Sequence, residues 1–246
     1  MTAVVVGASA GLGRSLASAL AAAGHDLVLA ASDARDVEAL AADLRLRHAV
    51  RTVAVAIDLG APDADLEPLA TAAASLGGAD LLLLPIGWTA EPSRDGGGVD
   101  PATAERLVRV NFLAVVALVS RFLPGLRERP AARIVGFGSV AAARGRRVNL
   151  VYASAKRALQ TYFEGLRHAC AGSRVRVQFW VPGYLDTNLA FGRAAALARA
   201  SPEALAARVV ARLPDGDLVL YHPRWWRLVC AAAPRVPFSV FKRLKA

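Results

Sequence analysis

Seven short apolar runs punctuate the chain: AVVVG (3–7), DLVLAA (26–31), TVAVAI (52–57), DLLLLPI (80–86), RIVGFGS (133–139), RVQFWV (176–181) and DLVLY (217–221). They are near-continuous in Val, Leu and Ile, which is the pattern of strands buried on both faces. Between them lie stretches rich in Ala, Leu and Arg, at 12–23, 36–46, 102–122 and 150–170, that read as helices. Strands alternating with helices predict an α/β fold: a doubly wound, seven-stranded parallel sheet of Rossmann type with helices on both faces. EPSRDGGGVDP (91–101) reads as an exposed connection. No internal repeat interrupts this order. The expected organisation is one domain, 1–222, followed by a tail, 223–246.

Composition changes the picture at the end of the chain. Of the 246 residues, 55% are hydrophobic, enough for a large core in one domain. The net charge is +10, and the tail alone contributes +6 with no acidic residue, which leaves +4 for the rest. Charge concentrated in this way points to a local anionic partner. In the tail Trp225, Trp226, Phe238 and Phe241 interleave with Arg224, Arg227, Arg235, Lys242, Arg243 and Lys245. Aromatic and basic residues together mark membrane interfaces. Pro223, Pro234 and Pro237 cut the tail into short pieces, so it would lie on a bilayer rather than span it. The competing reading is a tail packed on its own domain or on a neighbouring subunit. Nucleic acid is not expected, because no recognised binding motif accompanies the charge. No long apolar run suits a spanning helix, and the glycine-cut N-terminus does not read as a signal peptide. Cys170 and Cys230 lack paired spacing, which implies inert thiols in a reducing cytoplasm. His25, His48, His168 and His222 are scattered, so no metal site is expected.

Two clusters carry chemistry. The first strand runs into GASAGLG, Gly7 to Gly13, with Ser9 and Leu12 between the glycines, and then into a helix. Such a turn lets backbone approach a pyrophosphate, which the helix N-terminus attracts. The second strand ends in Ala31 and Ser32, where a carboxylate would bind the ribose 2′-OH of NAD. That missing acid, with Arg14 and Arg35 near, favours NADP(H) over NAD(H). Asp58, after the third strand, reads either as an adenine contact or as the turn chemistry common for Asp at a strand end. The second cluster is YASAK, which sets Tyr152 and Lys156 four residues apart on one helix face. A free phenol has a pKa of about 10. A neighbouring ammonium stabilises the phenolate and brings it toward working pH as a general acid or base. Ser139 ends the preceding strand, where ligand crevices form in parallel sheets.

This constellation resembles the short-chain dehydrogenase/reductase family across nearly the whole chain. The matching residues are Gly7, Gly11, Gly13, Asp58, Asn111 in RVNFLA, Ser139, Tyr152, Lys156, and Pro182, Gly183 and Thr187 in PGYLDT. The resemblance implies hydride transfer between a nicotinamide and a carbonyl or alcohol. It assigns Tyr152 as acid/base and Lys156 as its tuner and ribose ligand. Ser139 orients the carbonyl, Asn111 holds a water of the proton relay, and Thr187 contacts the carboxamide. The chain departs from the family at Val6, where Thr is usual, and at LPIG, where of Asn-Asn-Ala-Gly only Gly87 survives.

Between Ser139 and Tyr152 the chain carries Arg144, Arg146 and Arg147. Arginine forks recognise phosphate, so this loop reads either as a site for an anionic substrate group or as a solvated face. Within the family, ARGRRVNLVYASAK and PRVPFSVFKRLK are similar to a subgroup that reduces a keto sugar on a polyprenyl phosphate, made by a partner flavin oxidase. Three readings follow. One is a ketoreductase of a lipid-linked sugar at the inner membrane face. Another is a soluble reductase of a small ketone or ketoacyl thioester, bound under 184–200 by Leu185, Leu189 and Phe191. The last is a non-catalytic dinucleotide-binding scaffold. The family resemblance also implies a homo-oligomer.

Overall fold

The computed structural model describes residues 1–90, 98–186 and 200–243. Its centre is one parallel sheet of seven strands: β1 (Thr2–Val6), β2 (Asp26–Ala31), β3 (Thr52–Ala56), β4 (Leu81–Leu84), β5 (Ala132–Phe137), β6 (Val175–Pro182) and β7 (Leu218–His222). The spatial order is β3-β2-β1-β4-β5-β6-β7. The order reverses between β1 and β4, and crevices for ligands open there at the strands' carboxyl ends.

The unbroken apolar runs are explained by two separate cores. Val4, Val6, Leu82, Leu84, Ile134 and Phe179 face one layer. Their neighbours Ala3, Val5, Leu81, Leu83, Val135 and Trp180 face the other. Successive side chains of a strand point to opposite faces, so a covered sheet needs apolar residues at every position. The second layer holds α1 (Gly11–Ala22), α2 (Ala34–His48) and α7 (Pro202–Ala211). The first holds α3 (Glu67–Ser75), α5 (Ala114–Arg127) and α6 (Leu150–Ala169).

The helix expected at 102–122 is a composite. α4 (Pro101–Val108) passes through a π turn (Arg109–Leu113) into α5. This 27-residue helix is long and apolar enough to cross a bilayer by length and composition. Its buried residues Val115, Leu118, Val119 and Phe122 belong to the first core, as in a core helix. α3 and α7 were not marked by the apolar pattern. α7 does carry a start signal: Ser201 Oγ accepts the Ala204 N–H at 3.0 Å, and Pro202 occupies the first helical position. The described part of the tail forms α8 (Trp226–Ala232), a 3-10 turn (Ala233–Arg235) and α9 (Phe238–Phe241).

β5 and α6 approach unusually closely, because Gly136 has no side chain. A Cβ there would lie 2.2 Å from Cζ of Phe163. Phe163 is 2% exposed and packs on Phe179 with ring centroids 5.0 Å apart, so it has nowhere to go. Gly136→Ala should therefore destabilise the fold by about 2 kcal/mol through overpacking. Urea unfolding of the two proteins measures this, and an unchanged midpoint would show that α6 can shift outward.

Candidate active site

Burial decides the state of the lysine. Lys156 lies in the second turn of α6, 2% exposed. Its Nζ donates to the Ile86 carbonyl at 2.8 Å and to the Phe137 carbonyl at 3.2 Å. These carbonyls follow β4 and end β5, so one ammonium ties α6 to both strands. Among the described residues no carboxylate pairs with it. Loss of water therefore lowers its pKa from 10.5 to about 7. Tyr152 sits one turn earlier on α6, half-buried.

Ser139 stands two residues beyond Phe137. It caps the 3-10 turn Val140–Ala143, and its Oγ accepts the Ala141 N–H at 3.2 Å. The hydroxyl hydrogen is not used in that bond and can be given to a ligand. Asn111 is fully buried in the π turn. Its Nδ2 donates to Trp88 O at 2.7 Å and to Leu107 O at 2.9 Å, while Oδ1 accepts Trp88 N–H at 3.2 Å. Backbone pairing in a π turn runs to the fifth residue rather than the fourth, which suits a side-chain donor at the Leu107 carbonyl. Both amide hydrogens are thus committed to backbone, and only one lone pair of Oδ1 is left for water. Asn111 thus holds the segment after β4 through the Trp88 backbone.

The glycine turn fits a dinucleotide phosphate. A Cβ at Gly13 would lie 1.8 Å from the Gly7 carbonyl oxygen, so α1 can start this close only with glycine there. Gly7 takes φ +90° and donates its N–H to Ala30 O at 2.8 Å. α1 has no side-chain cap and no acid in its first turn, so its N–H groups can meet an anion. Gly11 opens α1, Leu12 packs on the second core, and the Ser9 carbonyl receives Arg14 Nε at 2.9 Å.

Ser32 is exposed at the end of β2. The next residue, Asp33, is the N-cap of α2, accepting from the backbone of Arg35 at 2.9 Å and Asp36 at 3.3 Å. These bonds, with the Arg35 side chain, hold its carboxyl below the usual range. Asp33 is thereby occupied as a cap, while Arg35 is 92% exposed beside it. Asp58 accepts the Gly60 N–H at 2.8 Å and pairs with Arg106 at 3.3 Å. Arg106 lies 5.3 Å over the Trp88 ring. Sequence reading missed this Arg106–Trp88 pair, since nothing local links it to Asp58.

Gly87 is exposed after β4. Pro182 ends β6, and Gly183 donates its N–H to His222 O at 2.8 Å. A Cβ at Gly183 would lie 2.0 Å from Nε1 of Trp226, so the tail presses on this turn. Thr187, Leu189, Phe191 and Lys245 lie outside the described residues.

The arginine loop divides. Arg144 faces the tail: its Nη1 donates to Ala233 O at 2.8 Å and to Val236 O, and its guanidinium lies 3.9 Å over the Phe241 ring. Its Nη1 is thus engaged by main-chain carbonyls of the tail, which makes it the most occupied of the three arginines expected to meet a substrate phosphate. Arg147 is exposed and Arg146 half-exposed, and neither makes an ion pair among the described residues. Among these residues no group of His, Cys, Asp and Glu could hold a metal.

Residues 1–196 match the family model for short chain dehydrogenase. The chain belongs to the short-chain dehydrogenase/reductase family, and is an NAD(P)-dependent oxidoreductase. An uncharacterized oxidoreductase of Mycobacterium tuberculosis, Rv2073c, is 30% identical over 98% of this chain and 96% of its own length. One encoded in the mprA 5′ region of Streptomyces coelicolor is 32% identical, over 98% and 94%. Among solved structures, a short-chain dehydrogenase from Sphingobium yanoikuyae in complex with NADPH superposes with a TM-score of 0.82, at 25% identity, over 99% and 96% of the two chains.

The lysine gives a pH signature. Its folded pKa of about 7 lies below the ordinary 10.5. Between these values the unfolded chain binds more protons, so stability rises with pH, by at most about 1.4 kcal/mol per pH unit. Urea unfolding from about pH 7 to pH 9 should show this rise in the wild type and lose it in Lys156→Met. Equal slopes would mean that the buried ammonium keeps an ordinary pKa.

Proposed function

We propose that this chain reduces a ketone to a secondary alcohol with NADPH, with Tyr152 as the general acid. The observation that carries the proposal is the buried Lys156, held between the ends of β4 and β5 one turn from Tyr152 on α6. NADPH, when bound, supplies the hydride. Gly7, Ser9, Gly11, Leu12 and Gly13 would hold its pyrophosphate at the start of α1, and Ser32 with Arg14 and Arg35 its 2′-phosphate. The Asp33 cap supports the phosphate over a free 2′-OH, since its carboxylate is already engaged. Asp58 would meet the adenine, and Gly87, Pro182, Gly183 and Thr187 the nicotinamide half. NAD(H) is the alternative.

In this reading Ser139 donates its hydroxyl hydrogen to the carbonyl oxygen and orients it. Tyr152 then gives its proton to that oxygen. Lys156 carries its proton for part of the time at neutral pH and favours the phenolate left behind. Asn111 contributes by fixing the Trp88 backbone at the crevice floor.

The exposed surface of the tail supports a reading of the substrate class. Leu228 and Phe238 are 74% and 71% exposed in a tail that is otherwise basic. An apolar, cationic surface at the rim of the crevice suits the anionic face of a membrane. Arg146 and Arg147 would then meet a phosphate of a lipid-linked substrate. This fits the similarity of ARGRRVNLVYASAK and PRVPFSVFKRLK to the keto-reductase component of decaprenylphosphoryl-ribose 2-epimerase, which has a partner flavin oxidase. The enzyme would work at the inner face of the cell membrane. One observation favours a second reading, a soluble reductase of a small ketone or ketoacyl thioester: the tail also packs on its own domain, through Arg144 and Trp226.

Tyr152→Phe should lower kcat for NADPH oxidation with any reduced ketone by about 100-fold or more, since general-acid assistance is lost. Retention of turnover would remove Tyr152 from the reaction. In flotation with vesicles of phosphatidylglycerol, wild type should rise and Leu228→Asp/Phe238→Asp should not, with turnover of a water-soluble ketone preserved. If wild type stays below, the soluble reading replaces the membrane one.

A further inference from the structure

The tail is built into the catalytic crevice. β7 ends beside β6, pairing His222 with Pro182. The chain then passes over the turn after β6. Trp226 covers Gly183, stacks on Trp225 at 4.3 Å between centroids, and meets Tyr184 edge-on at 6.0 Å. Further on, the main chain at Ala233 and Val236 and the ring of Phe241 surround the Arg144 guanidinium. So the tail holds both the turn after β6 and the loop after β5.

Arg144 terminates the 3-10 turn that Ser139 begins. This turn is four residues long, Val140–Ala143, with Ala141 and Ala142 buried. A rigid turn with fixed ends transmits the position of one end to the other. Ser139's hydroxyl rests on this turn through the Ala141 N–H. We infer that Arg144 is a positioning residue: anchored by the tail, it sets the turn that aims the Ser139 hydroxyl at the carbonyl. The tail is thereby part of the active site, and Trp226 forms its wall over Gly183. The inference rests on the reading of Ser139 as the group that orients the carbonyl.

The geometry argues for an anchor rather than a ligand of substrate anions. The Arg144 guanidinium has one terminal nitrogen engaged by two carbonyls and one face on a ring, so both fix it to the tail. Among the described residues, Arg146 and Arg147 are the cations of the loop that make no ion pair. Small displacements of a positioned group cost rate while leaving cofactor binding alone.

The test compares wild type, Arg144→Met, Phe241→Leu and the double variant. Three readouts are needed: hydrogen–deuterium exchange of 140–149, NADPH affinity from tryptophan fluorescence, and kinetics on an uncharged ketone that wild type reduces. An uncharged probe removes any effect of a lost phosphate ligand. Each single variant should speed exchange in 140–149 and lower kcat, Arg144→Met on the order of tenfold, with NADPH affinity unchanged. The double variant should be no worse than Arg144→Met, because the two residues act as one contact. Three results would overturn the inference: exchange unchanged in both single variants, exchange faster with kcat unchanged, or Phe241→Leu silent while Arg144→Met is impaired. If wild type reduces no uncharged ketone, the ketone reading fails, and the exchange measurement still decides whether the tail holds the loop.

Discussion

A buried ammonium held by main-chain carbonyls constrains the architecture around the crevice. Lys156 is removed from water, and its hydrogen bonds go to two main-chain carbonyls rather than to a carboxylate. Leaving either carbonyl would strand a buried donor, at a cost of roughly 1–3 kcal/mol. So the end of β5, the segment after β4 and the first turns of α6 must stay in register. The glycine at 136 allows α6 to come close enough for this, with Phe163 filling the space where a side chain would be. The same burial lowers the lysine pKa toward neutrality, so that the packing also sets the chemistry.

Around that knot, side-chain bonds and caps fix the segments at the ends of the strands. The asparagines usual after the fourth strand are absent, and LPIG stands there instead. Asn111, reaching from the π turn, holds the Trp88 backbone from the side, and Ile86 is held by Lys156. At the end of β2 the first acidic residue caps a helix, which leaves that corner to exposed arginines. Both changes keep backbone groups satisfied while altering which side chains are free for ligand.

The tail joins two kinds of surface. Arg144 and Gly183 meet its inner side, and Leu228 and Phe238 project from its outer side. A partner on the outer side would therefore touch a segment that borders the crevice. Its short helices contain no fully buried residue, so their placement depends on a few contacts, with Arg144 and Trp226 chief among them.

Much was legible before any coordinates. Continuous apolar runs gave the covered parallel sheet, because every strand position faces a core. The glycine turn and the Tyr152–Lys156 spacing are local, so their geometry follows from a helix and a tight turn. The short helices α3 and α7 were harder, being alanine-rich with weak patterning. What could not be read were contacts between residues far apart in sequence. Nothing near Lys156 announces that its partners are carbonyls 70 and 19 residues away. Nor does the sequence around Arg144 show what it meets, because an arginine in sequence carries only its charge. Its contact with the tail is made 89 residues later, by main-chain carbonyls that any sequence presents and only the folded chain can aim.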